Sequence, residues 1–364
     1  MCNKISFLIV FVCLITNVSF ATIWTVSNDA NRPAQFTTVQ AAVNEAVSGD
    51  TVLIIGSGPQ YNETVNILKP LVFVGEDMES PRAEINEIRL ERLNSSMGSS
   101  GSKFYGLAIR RFYIYGGFTG SSAEQRIIED IEVERCLLYD VTFQSVSGGA
   151  IRKNIAFRNN RFWGSNSNDW TWITVGATYD YEDIVFTNNI FSSQYRFRGS
   201  SSVNLNGELK IRNNLFLNAT SGAFQNIDGA VVENNIFYKA EPTGATNSAF
   251  NNNLTYLCND NALPYGTNTG GGNIVNQNPL FANYPALGGV NHTYAHDYEL
   301  QVGSPAIGNG TTGTNIGISG GVAPVVDNLK SHPRIPVVTN LHLPVTSVPV
   351  GGTLQINIQG NTRD

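Results

Sequence analysis

Apolar and polar residues alternate along this chain in short bursts, the period of a half-buried strand rather than of a helix. "GDTVLII" from Gly49, "WITVG" from Trp172 and "DGAVVENN" from Asp228 are typical, with Gly, Ser, Asn and Thr filling the intervals. One stretch has helical spacing. "VQAAVNEAV" places Val39, Ala42, Val43 and Ala46 along a single face. The pattern therefore predicts an all-β chain with one short helix near its start.

A motif recurs within that pattern. "FRNNRFWG" from Phe157 returns as "FTNNIFSS", "IRNNLFLN", "VENNIFYK" and, in weaker form, "FNNNLTYL". The second asparagines, Asn160, Asn189, Asn214, Asn235 and Asn253, are separated by 29, 25, 21 and 18 residues. Repeats of this length mark solenoids. Strand-length bursts and variable spacing around a constant corner predict a parallel β-helix of roughly ten coils. Asn tolerates left-handed backbone angles, and amides stacked at one corner can bond along the axis as a ladder. Phe157, Phe162 and their counterparts would point inward. "VERCLLYD" fits one coil earlier with Cys136 at the corner. Five coil steps, roughly 24 Å, then separate it from Asn253, too far for a disulfide to Cys258 just beyond. Cys136 is therefore expected as a buried free thiol.

The start of the repeat body is more specific. "FTTVQAAVNEAVSGDTVLIIGSGPQYNETVNILKPLVFVGE", Phe36 to Glu76, resembles the N-terminal cap and first coil of the pectin-lyase-like right-handed parallel β-helix superfamily. "GGGNIVNQNPLF" and "DYELQVGSPAIGNG" resemble the closing coil of its exported, uncharacterised members. The resemblance covers about Phe36 to Gly321. It implies a right-handed parallel β-helix over 22–321 with a helical cap at about 36–50, and ligands lying along one sheet's outer surface. It implies no particular activity, because the superfamily hosts many on one scaffold. "GPQYNETV" resembles the Gly-x-Tyr-x-Glu element of its methylesterases, with an extra residue after Gly58. Their later elements, and the catalytic sets of the polygalacturonases and pectate lyases, have no counterpart. After Gly321 the composition shifts to Pro and Val, which predicts an extended tail or the stub of a further β domain over 322–364.

The first 21 residues read as a signal peptide: Lys4, the apolar core "ISFLIVFVCLI" and the cleavage site Ser19-Phe20-Ala21. The chain is thus expected to be secreted, periplasmic or on the cell surface, and monomeric. A formal charge of −6 without a basic run excludes nucleic acid as a natural partner. No later apolar run is long enough to span a bilayer.

Candidate chemistry gathers in the longest interval, which holds Trp163, Trp170, Trp172, Tyr179 and Tyr181. Aromatic faces suit the stacking of sugar rings, although alternation lets only some point outward, and Trp172 fits a core position equally. One coil later, Arg196 and Arg198 flank Phe197. If Phe197 points inward, both guanidiniums share an outer face and suit carboxylate or sulfate groups; the competing reading pairs them with Asp180, Glu182 and Asp183. An extracellular polysaccharide, acidic in the second case, is the partner these residues suggest. A uronate lyase would use the arginines to neutralise the substrate carboxylate, a hydrolase would need two flanking carboxyl groups, and an adhesin or structural solenoid would need neither. No base is assigned among Tyr195, Lys153 and Lys210. No firm cofactor follows from these residues, and Ca2+ is the one that fits. Asp130, Glu132 and Glu134, alternating on one face, could hold Ca2+, against a simpler reading as a hydrated edge; "NSNDW", ending in Asp169 and Trp170, is a second acidic stretch.

Overall fold

The computed structural model describes residues 21–76, 81–94, 97–115, 127–144, 149–164, 170–173, 179–200, 204–285, 291–325, 329, 336–342 and 357–362. The expected signal peptide and Asp169 lie outside them, as does the side chain of Tyr179. The chain forms a parallel β-solenoid closed by two sheets. The first has ten strands, from Ile23–Val26 to Ala249–Asn251, and every pairing in it is parallel. The second has twelve, including Leu137–Phe143, Trp170–Ile173 and Arg196–Gly199. The all-β solenoid and its cap match the expected architecture. The turns number about seven rather than roughly ten. End strands add to a sheet without completing a circuit, as where Ile23–Val26 leads into the cap helix.

The cap is the helix Val39–Glu45, which buries Val39, Ala42 and Val43 over the open end of the core. Its N-terminus is satisfied from two sides. The Thr38 side chain accepts from the Ala41 N–H, and the Glu63 carboxylate of the first coil accepts from Val39 and Gln40 at 2.7 and 3.0 Å. Tyr61 is buried, and its hydroxyl donates to the Ile55 carbonyl at 2.8 Å. The Gly-x-Tyr-x-Glu-like element thus fastens the cap, which accounts for both polar residues without chemistry.

The two asparagines of each pair divide the corner between them. The first, at 159, 188, 213, 234 and 252, takes the left-handed backbone angle, with φ between 52° and 57°. The second is fully buried and builds the ladder. Asn189 donates from its side chain to Phe157 O and Asn214 Oδ1, and its backbone N–H donates to the same Asn214 Oδ1, at 2.9–3.0 Å. The same set of bonds links Asn160, Asn189, Asn214, Asn235 and Asn253 and runs one step further, to Asn273. Cys136 ends the ladder: its N–H donates to Asn160 Oδ1, and its thiol replaces the amide by donating toward Phe104 O. Phenylalanines stack inside at the coil spacing, Phe157–Phe186 at 4.6 Å and Phe191–Phe216 at 4.7 Å, the distance the strand separation imposes.

Of the segment expected to be a closing coil, 270–274 does add one further parallel step beside Ala249–Asn251 and Leu254–Tyr256, but the remainder does something else. After the Asn273 step, Phe281–Asn283 and Asp297–Leu300 form an antiparallel pair, and the chain then runs back along the solenoid as a strap. Asn252 donates to Asn309 O, Asn234 accepts from Thr311 N, Asn213 donates to Asn315 O, and Asn188 donates to Ile318 O and Gly320 O. Ile316 and Ile318 cover an outer apolar strip made by Leu137, Ile190, Leu215, Ile236 and Leu254. Four of the five first asparagines, Asn188, Asn213, Asn234 and Asn252, are therefore strap anchors as well as corners. In the tail, Pro336–His342 and Asn357–Thr362 pair as an antiparallel hairpin.

Cys136 and Cys258 are both free and buried, and burial pushes each thiol up to about 12. The folded thiols keep their protons while unfolded ones lose them above about pH 8.5, so this stability is intact below that pH and falls as pH rises toward 12. Replacing both with Ala should flatten the alkaline limb of a stability–pH curve. Asn214→Ala should cost about 2–3 kcal/mol in a denaturant melt, because it leaves buried donors of Asn189 unpaired. Asn213→Gly, which keeps the positive φ, should cost less than about 1 kcal/mol and show chiefly as faster proteolysis of the strap.

Candidate functional site

Three neighbouring strands of the second sheet create the site. In Trp170–Ile173 the residues Thr171 and Ile173 are buried, so Trp170 and Trp172 both point outward, half-buried. The core placement of Trp172 is thereby excluded; Thr171 takes the interior position and bonds the buried Tyr195 hydroxyl at 3.1 Å. In Arg196–Gly199, Phe197 is fully buried and stacks in the core, which turns Arg196 and Arg198 to the same outer face. The parallel register sets Trp170 beside Arg196 and Trp172 beside Arg198. On the other side Trp172 lies beside Thr142, and one coil beyond the arginines Arg198 lies beside Gln225.

The four side chains form one cluster. The indoles stand 5.8 Å apart, tilted by 43°, and the Arg198 guanidinium lies 4.5 Å from one ring centroid and 4.7 Å from the other. The acids once available as partners are elsewhere. Asp183 pairs with Lys210 and Glu182 with Lys153 on the outer face of the first sheet, while Asp180 is exposed on that same strand. Among the described residues neither Arg196 nor Arg198 makes an ion pair. The other arginines of this region are engaged: Arg89 and Arg111 hold Glu87, and Arg82 and Arg110 hold Glu84.

The remaining aromatic residues of the long interval do not join the cluster. Trp163 packs against the outer apolar strip beneath the C-terminal segment. Tyr181 packs edge-on against Phe143, and its hydroxyl accepts from the buried Arg152 at 3.0 Å. Arg152 also donates to the carbonyls of Ile114, Tyr115 and Gln144, tying together strand ends of the coils that flank the cluster.

Among the described residues, proton-transfer groups are scarce on this face. Asp140 accepts from the Thr142 hydroxyl at 3.0 Å. Burial raises the pKa of Tyr113 and Tyr115, so both phenols stay protonated. Tyr195 is internal, and Lys153 and Lys210 face outward from the other sheet, so none of these three can serve as a base here. The acidic trio is also broken up: Asp130 sits at φ 57°, which interrupts the alternation, and bonds Asn154, while Glu132 is held by Lys103 and Arg158. No group of three His, Cys, Asp or Glu side chains that could hold a metal ion occurs among the described residues. His292 and His296 bond the buried Tyr298 hydroxyl and so serve the antiparallel pair of Phe281–Asn283 and Asp297–Leu300.

Sequence reasoning placed Arg196 and Arg198 on one outer face, left Trp172 open between surface and core, and missed Thr142, Asp140 and Gln225. Only coil register brings those in. Aligning "YDVTF", "TWITV" and "YRFRG" on their inward residues would have found the first two.

No protein-family model matches this chain, and no curated protein matches it. Among solved structures, a pectin methylesterase variant in complex with a hexasaccharide is similar at 16% identity with a TM-score of 0.28, covering 64% of this chain and 78% of that one.

A thiol reagent should leave Cys136 and Cys258 unmodified in the native protein, since both are buried and protonated. Tryptophan fluorescence should be quenched by a soluble quencher to an extent that falls in Trp170→Phe and Trp172→Phe, because those rings are partly exposed.

Proposed function

We propose that this protein is exported and recognises an acidic extracellular polysaccharide laid along the outer face of the second sheet. The supporting observation is the juxtaposition of two outward indoles with two arginines that have no carboxylate partner among the described residues. Indole faces suit the apolar side of a sugar ring, and a guanidinium suits its carboxylate or sulfate by paired, charge-assisted hydrogen bonds. A neutral sugar would satisfy the first group and leave the second idle.

Binding is favoured over catalysis by the state of the neighbouring groups. Glu84 and Glu87 are each committed to two arginines, and Asp140 is held by Thr142. Hydrolysis needs two carboxyl groups on either side of the scissile bond, and elimination needs a base next to the neutralised carboxylate. A uronate lyase is the second reading, since Arg196 and Arg198 could neutralise such a carboxylate. An adhesin or spacer role for the solenoid is the third.

Incubation with a panel of uronate polymers, with and without Ca2+, followed by ultraviolet absorbance and by calorimetry, separates these readings. The expected result is saturable binding of at least one acidic polymer without the absorbance rise that an unsaturated uronate product gives, and loss of that binding in Arg196→Ala/Arg198→Ala. A rising absorbance would establish a lyase instead. Absence of both signals from folded protein would favour the spacer.

A further inference from the structure

We infer that the two arginines of this face have separate tasks: Arg196 meets the anionic group of the glycan, and Arg198 is a positioning residue that fixes the angle of the paired indoles. The inference rests on the reading of this face as a glycan site.

The two side chains stand in different surroundings although they alternate on one strand. The Arg198 guanidinium is within cation–π range of both indoles, 4.5 and 4.7 Å from their centroids. Its Nε is buried with no hydrogen-bond partner, so that edge of the fork is closed to a ligand. A flat, weakly hydrated guanidinium stacks against ring faces, whereas a compact, strongly hydrated ammonium makes only a point contact and keeps its hydration. Trp172 is its direct cross-strand neighbour, while Trp170 lies diagonally, one outward position back along the strand. By touching both rings, Arg198 braces an indole pair already in ring contact at 5.8 Å, and so sets the 43° tilt between them.

Arg196 has none of this. It lies beside Trp170 in the register, yet it makes no cation–π contact, ion pair or side-chain hydrogen bond among the described residues. Other arginines on the outer face of this sheet are occupied even where they also stack: Arg89 lies over Tyr115 and pairs with Glu87, Arg110 lies over Tyr139 and pairs with Glu84, and Arg161 lies over Tyr294. Arg196 therefore keeps its full set of guanidinium donors for a ligand. It stands at the edge of the indole pair, where a carboxylate on a sugar stacked over Trp170 would meet it.

The division of labour separates affinity from selectivity. The indoles, held by Arg198, would grip a sugar ring whatever its charge, and Arg196 would choose the acid over its ester.

The test compares an oligogalacturonate with its methyl-esterified form on the purified full chain, with tryptophan emission and near-ultraviolet circular dichroism of the ligand-free protein as a separate readout. Trp170→Phe and Trp172→Phe identify which part of the signal belongs to the pair. Arg196→Ala should weaken the acidic ligand by about ten-fold or more, leave the ester unchanged and leave the free-protein spectra unchanged. Arg198→Ala should change the spectra without ligand and weaken both ligands alike. Arg198→Lys, which keeps the charge, should behave as Arg198→Ala does. The assignment is overturned if Arg198→Lys matches the parent protein, if Arg198→Ala loses the acidic ligand alone, or if Arg196→Ala weakens both ligands equally. A parent protein that binds neither ligand overturns the task given to Arg196 together with the glycan reading, whereas the ligand-free spectra judge Arg198 on their own.

Discussion

A column of buried carboxamides governs this fold. Each ladder asparagine from Asn160 to Asn253 is sealed from water, and an amide in that position is tolerable only if its donors and acceptor are paired. Asn189, Asn214 and Asn235 meet that condition by accepting from the coil before through the side-chain oxygen, and by donating through the side-chain nitrogen to a carbonyl of the coil before and to the amide oxygen of the next. A slip of one residue in any coil would break several such bonds and turn its Phe outward. The ladder therefore locks the register of every coil it joins, whatever the length of the loops between.

That lock is what makes a surface site available to so irregular a chain. Intervals between ladder positions shrink from 29 to 18 residues, yet strands on either side of the corner stay aligned. Trp170 meets Arg196, and Trp172 meets Arg198, because Thr171 and Phe197 are held in the same interior row. Side chains pointing out from a locked row are pre-aligned for a long ligand lying across the coils. The strap supplies a second restraint from outside. It anchors on four of the first asparagines and covers the apolar strip next to the corner, leaving the indole–arginine face on the same sheet uncovered by it.

Much of this was legible in the sequence, for physical reasons that differ from one element to the next. The cap helix and the inward Phe residues followed from periodicity alone, because burial imposes a period that the residues must obey. The corner was legible because only a few residues accept a left-handed φ. The division of each Asn pair was not, since both members are chemically identical and only their partners differ. The strap was also hidden. Its hydrogen bonds reach the backbone carbonyls of Asn309, Asn315, Ile318 and Gly320, which leave little trace in side-chain identity. Within the site, Arg196 and Arg198 could be placed by alternation around Phe197. Trp172 could not be placed from its neighbours, and the contact between Arg198 and both indoles depends on a register that no local pattern reveals.

The most direct test of the account is a crystal structure of the protein with a bound oligouronide. The account predicts sugar rings over Trp170 and Trp172, at least one carboxylate on Arg196, and an unbroken ladder from Asn160 to Asn273. An oligosaccharide bound elsewhere on the solenoid, or an Arg196 turned into an ion pair with the protein's own acids, would contradict it.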